Sequence, residues 1–272
     1  MSSVIHRAPQ EGALLNLREL WTYRDLLWFL SLRDIKTQYR QMVLGFAWAI
    51  IPPFLTMAIL SLLFSHLSSV LSNGAPYPLF VYAAILPWTF FANSLFHSTH
   101  CYVANADLIK KVYFPRLVIL LSSMASDVMD FVLAFPVFLG MMIYFRVPLT
   151  GNIFWLPFFF LLAFLTALGV GLWLSTLNVK YRDMSCAIPF LSQFWFLATP
   201  VIYSSNGLSK PWSILYGLNP LAGVIEGFRW ALLGTSAPPL GLLIVSLSSA
   251  LLLLTTGVFY FRRNEQTFAD VL

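Results

Sequence analysis

The chain has 272 residues, of which 59% are hydrophobic, 17% aromatic and only 10% charged, with a mean hydropathy of +0.78. A soluble globular domain carries about 25% charged residues, so this composition excludes a water-facing globule and leaves room for one integral membrane domain without a second, soluble catalytic one. The net charge of +5 does not point to nucleic acid, because the basic residues cluster between apolar runs, where membrane topology accounts for them.

The first element in chain order precedes any apolar run. Trp28, Leu32, Ile35 and Tyr39 recur at i, i+4, i+7 and i+11, one apolar stripe on a helix, while Arg33, Lys36 and Arg40 fall on another face. A basic amphipathic helix with aromatic anchors is expected to lie in the membrane interface, held by anionic lipids. The same cations could instead receive a phosphate-bearing substrate. Residues 1–43 therefore read as a tail plus interfacial helix, and 44–272 as the membrane domain.

A membrane helix needs roughly 20 mostly apolar residues. Six runs qualify, about 44–67, 79–103, 117–145, 153–177, 186–203 and 240–261. The first begins behind a long charged segment, unlike a secretory signal peptide. The fifth is the shortest, and Pro189 can bend it. With the residues before the first span placed in the cytoplasm, thirteen cations fall inside: Arg7, Arg18, Arg24, Arg33, Lys36, Arg40, Lys110, Lys111, Arg116, Lys180, Arg182, Arg262 and Arg263. Three fall outside: Arg146, Lys210 and Arg229. The positive-inside rule then puts both ends in the cytoplasm.

Between the second and third runs, Asn105 or Asp107 can cap a short helix that holds Leu108, Ile109, Lys110, Lys111 and Val112 and stops before Pro115. Solvated loops of this kind often do no more than obey the charge rule. Here Leu108, Ile109, Val112, Tyr113 and Phe114 sit beside the charges, and apolar residues in a cytosolic loop favour docking to a soluble partner.

Asp127 and Asp130 lie inside the third run. Intramembrane carboxylates cost roughly 2.5–3.5 kcal/mol at a helix centre on insertion scales and so face the bundle interior or a polar path. No basic partner is legible in another span, which favours helix–helix hydrogen bonding or conduit lining over a proton relay. His97 and His100 can share one helical face, yet they lack a legible acidic or cysteine neighbour, so a metal site is not expected. Cys101 and Cys186 form no CxxC or zinc-like spacing.

Before the last run, Asn219 and Pro220 read as an N-cap and a first helical residue, and Gly234 with Pro238-Pro239 as a stop. The helix between them is about 14 residues, roughly 21 Å at 1.5 Å per residue, too short to span. Its stripe is Leu221, Val224, Ile225, Phe228 and Leu232, and Glu226 can pair with Arg229. It is expected on the outer side, either re-entrant or on the surface. Gly223-x-x-x-Gly227 permits close helix approach but recurs easily by chance in apolar chains. Among the recurring aromatics, such as Trp88, Phe194, Trp195 and Phe196, some could stack on sugars in a conduit, and the sequence does not select which.

No GxxxxGK[ST] loop, GxSxG or HExxH motif is present, so the chain is not expected to hydrolyse ATP by the P-loop route or to be an enzyme. A membrane glycosyl- or acyltransferase would need acidic residues or histidines clustered at an interface. A structural scaffold would have no reason to carry the docking-like loop.

Five segments, taken together and in order, resemble the transmembrane subunits of type-2 ABC exporters, specifically the Wzm-like permeases that export O-antigen, capsule or teichoic-acid polymers. They are RDIKTQYRQMVLGFAWAIIPP (33–53), YPLFVYAAILPWTFFANSL (77–95), NADLIKKVYFPR (105–116), LNVKYRD (177–183) and LNPLAGVIEGFRWALLG (218–234). The resemblance implies an all-α homodimer of six-span subunits in a bacterial inner membrane. Each subunit pairs with one copy of a separate ATPase that holds ATP and Mg, and this chain itself binds no cofactor. It implies that Asn105, Asp107, Leu108, Ile109, Lys110, Lys111, Tyr113 and Phe114 belong to a coupling helix that docks into that ATPase. It implies outer gate helices within 204–234, carrying Asn219, Pro220, Glu226, Phe228, Arg229 and Trp230. The cargo implied is a glycan on an undecaprenyl diphosphate carrier, with Arg33, Lys36 and Arg40 at its cytoplasmic mouth. A small-lipid or drug permease of the same architecture is the alternative. Pro52 departs from the glutamine common in the family, so the first span is expected to kink differently.

Overall fold

A backbone in hydrocarbon must satisfy every N–H and C=O internally, and this chain does so with helices. The computed structural model describes residues 17–40, 45–64, 66, 72, 74–181, 183–204, 215–265 and 268, and no strand occurs among the described residues. The helices are α1 (Leu17–Thr22), α2 (Arg24–Arg40), α3 (Ala47–Leu63), α4 (Tyr77–Ala104), α5 (Ala106–Lys111), α6 (Leu117–Tyr144), α7 (Leu156–Lys180), α8 (Met184–Leu197), α9 (Pro220–Leu233) and α10 (Leu240–Asn264). A 3₁₀ turn, Gly151–Trp155, leads into α7. Four segments are long and apolar enough to cross a bilayer: Tyr77–Ala104, Leu117–Tyr144, Gly151–Lys180 and Leu240–Asn264.

The expected first and fifth runs appear as helices of 17 and 14 residues, α3 and α8. Leu44 and Leu67, the expected ends of the first run, lie outside the described residues, as do Arg7, Arg182, Lys210 and any gate helix within 205–214. Prolines sit inside α3, α4, α6 and α8, which neighbouring helices tolerate at membrane depth.

α4 is the axis of the bundle. Every residue from Leu79 to Trp88 is buried, because α6, α7, α9, α3 and α8 all pack on it. Over that stretch burial is uniform round the circumference, whereas further along α4 Asn93 and Phe96 are exposed on one side.

α10 packs on α7, and glycine sets how close the pair comes. A Cβ on Gly169 would sit 2.7 Å from the Leu254 backbone nitrogen, and one on Gly257 would sit 2.5 Å from the Gly169 carbonyl oxygen. Two backbones this close gain dispersion contact where apolar burial offers no driving force. Gly169→Val is therefore expected to push α7 and α10 apart and to cost about 1–3 kcal/mol or more, as overpacking does. Thermal unfolding in detergent should show an earlier transition, and a transition at the native temperature would argue against the close contact.

The Gly223/Gly227 pair serves two helices rather than one. A Cβ on Gly227 would meet the Phe159 ring of α7 at 2.2 Å, and one on Gly223 would meet Ser246 of α10 at 2.5 Å.

Candidate functional site

The segment between α4 and α6 begins at Asn105 and forms the expected short helix, α5, with Asp107 in its first turn and Lys110 and Lys111 in its last. Asn105 stands at the N-cap position, but its side chain makes no capping bond, contrary to the sequence expectation. Instead its amide donates to the Cys101 carbonyl (2.9 Å), and its oxygen accepts from Arg33 Nη2 (2.8 Å). The exposed apolar face is also narrower than expected. Ile109 and Phe114 are buried at 7% and 5% exposure, while Val112 and Tyr113 stand out at 53% and 65%. Ile109 and Phe114 seat the segment on the bundle, leaving Lys110, Lys111, Val112 and Tyr113 as the outward surface, with Leu108 half-buried.

Arg33 belongs to α2, and its guanidinium also donates to Asp34 Oδ1 through Nε (2.9 Å) and Nη2 (2.8 Å). Asp34 Oδ2 in turn accepts from Ser122 of α6 (3.2 Å). One fork therefore ties the start of α5 to α2, and one carboxylate ties α2 to α6. Four and five residues further along α2, Gln38 donates to Asp130 Oδ2 (3.2 Å), and the Tyr39 hydroxyl donates to Asp130 Oδ1. Burial, with the Asp130 carboxylate beside it, pushes the Tyr39 phenol above its usual range, so the phenol keeps its proton and acts as a donor. These contacts lay α2 along α6 from Ser122 to Asp130.

The face of α2 that packs is therefore the one with Leu30, Ser31, Asp34 and Gln38. Of the predicted apolar stripe only Trp28 stands out, at 68% exposure; Leu32, Ile35 and Tyr39 are half-buried, and Tyr39 reaches Asp130.

Asp127 is fully buried, and it has a basic neighbour that the sequence reading missed. His97 Nδ1 of α4 lies 2.7 Å from Asp127 Oδ1, and Ser94 donates to Oδ2 at 3.1 Å. His100 turns elsewhere, with Nδ1 2.8 Å from the Phe96 carbonyl. The two histidines therefore do not converge on one ligand. Both aspartates do helix–helix work, Asp127 between α6 and α4 and Asp130 between α6 and α2. The missed signal was the spacing Ser94–His97 on one face of α4.

Lys36 and Arg40 remain exposed, with no ion-pair partner among the described residues. They line an open cleft of about 490 Å³ with Ile35, Tyr39 and Phe46. Tyr39 and Phe46 lie ring to ring at 4.5 Å. Two cations on an apolar, aromatic floor suit an anion carried on a lipid tail. A second open cleft, about 400 Å³, runs between α4 and α8 beside Trp88, Asn93, Phe96, Gln193 and Phe196. Its rings and amides are the groups that stack on and hydrogen-bond to sugars.

At the other end of the bundle, α9 has the expected bounds. Asn219 Oδ1 accepts from Leu221 N at 3.2 Å, Pro220 follows, and Gly234 closes the helix with φ of 65°. The expected one-sided burial does not hold, since Pro220 through Arg229 are all buried. Arg229 has no exposed surface. Its guanidinium stacks 3.5 Å from the Phe80 ring centre and donates to Val201 O (2.7 Å), Tyr203 O (3.0 Å), Phe80 O (3.3 Å) and Glu226 Oε1 (3.3 Å). Phe228 packs edge-on to Phe131, and Trp230 packs against Phe159. Asn219 also accepts from the Trp195 indole at 3.0 Å, which joins α8 to α9. The helix is a body embedded in the protein, not a surface strap.

Comparison with known proteins gives a consistent picture. A family model described as ABC-2 type transporter matches residues 25–233. The chain is 30% identical over 256 residues to an O-antigen export system permease protein, RfbA, of Myxococcus xanthus, covering 92% of this chain and 96% of that one. It is 27% identical over 249 residues to a protein of the same name from Klebsiella pneumoniae, covering 91% and 95%. To the polysialic acid transport protein KpsM of Escherichia coli it is 24% identical over 212 residues, covering 75% and 80%.

Proposed function

The chain belongs to the ABC-2 type transporter family, and from that premise we propose that it is the permease of an ATP-driven exporter for a lipid-linked polysaccharide. The cargo is a polymer of the O-antigen kind on an undecaprenyl diphosphate carrier, moved from the cytoplasm across the bacterial inner membrane. The relatives named for O-antigen and polysialic acid export support a glycan cargo over a small lipid or drug. In this reading α3, α4, α6, α7 and α10 are spans, α8 is a sixth only together with the irregular stretch 198–203 that follows it, and the residues before α3 and after α10 face the cytoplasm. Two copies of the chain pair with two copies of a separate P-loop ATPase that binds ATP and Mg.

The observation that carries the mechanism is the Arg33–Asn105 hydrogen bond. It joins the first residue of the coupling segment to the helix that carries Lys36, Tyr39 and Arg40. Movement of an ATPase seated on Val112, Tyr113, Lys110 and Lys111 would pull directly on the cytoplasmic mouth. Lys36 and Arg40 would receive the carrier diphosphate, while Arg33 serves the joint. The α4–α8 cleft offers ring faces to the glycan, and α9, hinged at Asn219 and Gly234, is the outer gate.

The test is purification of the tagged chain from its native membranes with identification of what accompanies it. An ABC ATPase in about equal amount, together with a diphosphate-linked glycan, is the expected result. An ATPase without glycan would favour the small-substrate alternative, and no ATPase at all would reject the exporter reading. Tyr113→Asp and Leu108→Asp should leave the ATPase hydrolysing ATP with export reduced about tenfold or more, as loss of a central docking residue does. Native export in both variants would move the contact elsewhere.

A further inference from the structure

We propose that Phe268, beyond the last long helix, is a positioning residue that braces the coupling segment against a rigid part of the bundle. The proposal rests on the exporter reading for what the segment does, but not for how it is held.

α5 has six residues, far fewer than the 12–15 or so an isolated helix needs to persist in water. Its geometry must come from its surroundings: Ile109 and Phe114 seat the segment on the bundle, and further contacts hold its two ends. The chain enters the segment just after Tyr102 and leaves it at Arg116, and both meet one side chain. The Phe268 ring lies 5.1 Å from the Tyr102 ring and 5.6 Å from the Arg116 guanidinium. Phe268 and Tyr102 have no exposed surface, and Phe261 of α10 completes the cluster, with ring centres 5.8 Å and 6.0 Å away.

The cluster stands on a closely packed pair of helices. α10 meets α7 backbone to backbone at Gly169 and Gly257. Near the cluster the same pair meets again. Trp173 stacks on Tyr260 at 4.3 Å, and Lys180 Nζ donates to Asn264 Oδ1 at 2.5 Å.

The segment's other side is different in kind. There it is tied to α2 through one hydrogen bond from Arg33, whose side chain is 40% exposed. A close-packed ring cluster holds its neighbours in place, whereas a single side-chain bond lets α2 shift together with the segment it is tied to. A push on the coupling segment therefore meets a packed support on the α7–α10 side, while on the α2 side the Arg33 bond carries α2 along with it. The motion goes to α2 and the cytoplasmic mouth.

The experiment compares the full chain with Phe268→Ala and Phe268→Leu in detergent by hydrogen exchange. In Phe268→Ala, amides of 106–112 should exchange about tenfold faster as local opening becomes easier, while those of α7 and α10 hold their native rates. Phe268→Leu should stay within about threefold of the native rate, since most of the apolar volume is kept and no polar atom is buried. With the partner ATPase present, Phe268→Ala should export less per ATP hydrolysed, and Phe268→Leu should restore most of the ratio. Native exchange in Phe268→Ala would overturn the brace, and so would faster exchange throughout the protein that Phe268→Leu does not cure. Local loosening as expected in a chain that recruits no ATPase would support the brace and reject the exporter reading.

Discussion

Arg229→Met is expected to cost about 3–5 kcal/mol, the usual penalty for breaking a buried ion pair by removing one partner. Arg229 is fully buried, and its five N–H groups serve four acceptors on three parts of the chain. Two of these acceptors, the carbonyls of Val201 and Tyr203, belong to an irregular stretch after α8 that no helix ladder satisfies. Methionine fills the volume but donates nothing, so those carbonyls and the Glu226 carboxylate lose this donor in a dry site. Lysine should rescue poorly, because a single ammonium cannot reproduce the planar fork or its stacking on Phe80. Removing both charges, Arg229→Met with Glu226→Gln, should recover part of the loss, since the buried carboxylate that Arg229 offsets loses its charge too. Thermal unfolding of the purified variants in detergent measures all three. A single Arg229→Met variant as heat-resistant as the native chain would show that the outer helix is held by its apolar contacts alone.

α9 is also where the sequence spoke most plainly, and the reason is local. Asn219, Pro220 and Gly234 fix a helix by backbone chemistry that needs no knowledge of neighbours. The bounds emerged as expected, and so did the Glu226–Arg229 pair at i, i+3. What the pattern could not give was the surroundings. An apolar stripe normally marks the face toward a core, but next to lipid the logic can invert. On α2 the stripe is split: Trp28 stands exposed while Tyr39 turns to Asp130, and the packed face carries Asp34 and Gln38, whose polar groups find partners on α6. Asn105 was read as a cap because its spacing fits one. The structure gives its side chain to Arg33, a residue 72 positions away, and contacts at that distance have no local signature. The same holds for His97 and Asp127, which two helices bring within 2.7 Å. Ile109 and Phe114 read as exposed docking residues because a short loop between spans looks solvated. That they seat the loop follows only from the packing.

Charge reversal at Lys36 and Arg40 is expected to lower export by more than about tenfold, with the protein present in native amount. Each cation near an anionic lipid headgroup contributes on the order of 1 kcal/mol, and about 1.4 kcal/mol is a factor of ten. Neutralising both, Lys36→Gln with Arg40→Gln, should thus weaken carrier capture by about thirtyfold. Reversing both adds repulsion to the lost attraction and goes further. Both side chains stand in solvent beside the cleft, so the native effect should also fade with salt. Arg33→Gln tests the division of labour on the same helix. Its guanidinium already holds Asp34 and Asn105, so losing it should lower the maximal export rate per ATP without raising the carrier concentration needed for half-maximal export. The Lys36 and Arg40 variants should do the reverse, shifting that concentration while leaving the response of a saturated transporter to ATP nearly intact. Export measured across carrier concentrations in vesicles separates the two patterns. If all three cations gave one pattern, α2 would be a single phosphate-receiving face and the joint at Asn105 would have no transport role. Native export from the reversed pair would remove the mouth from this cleft altogether.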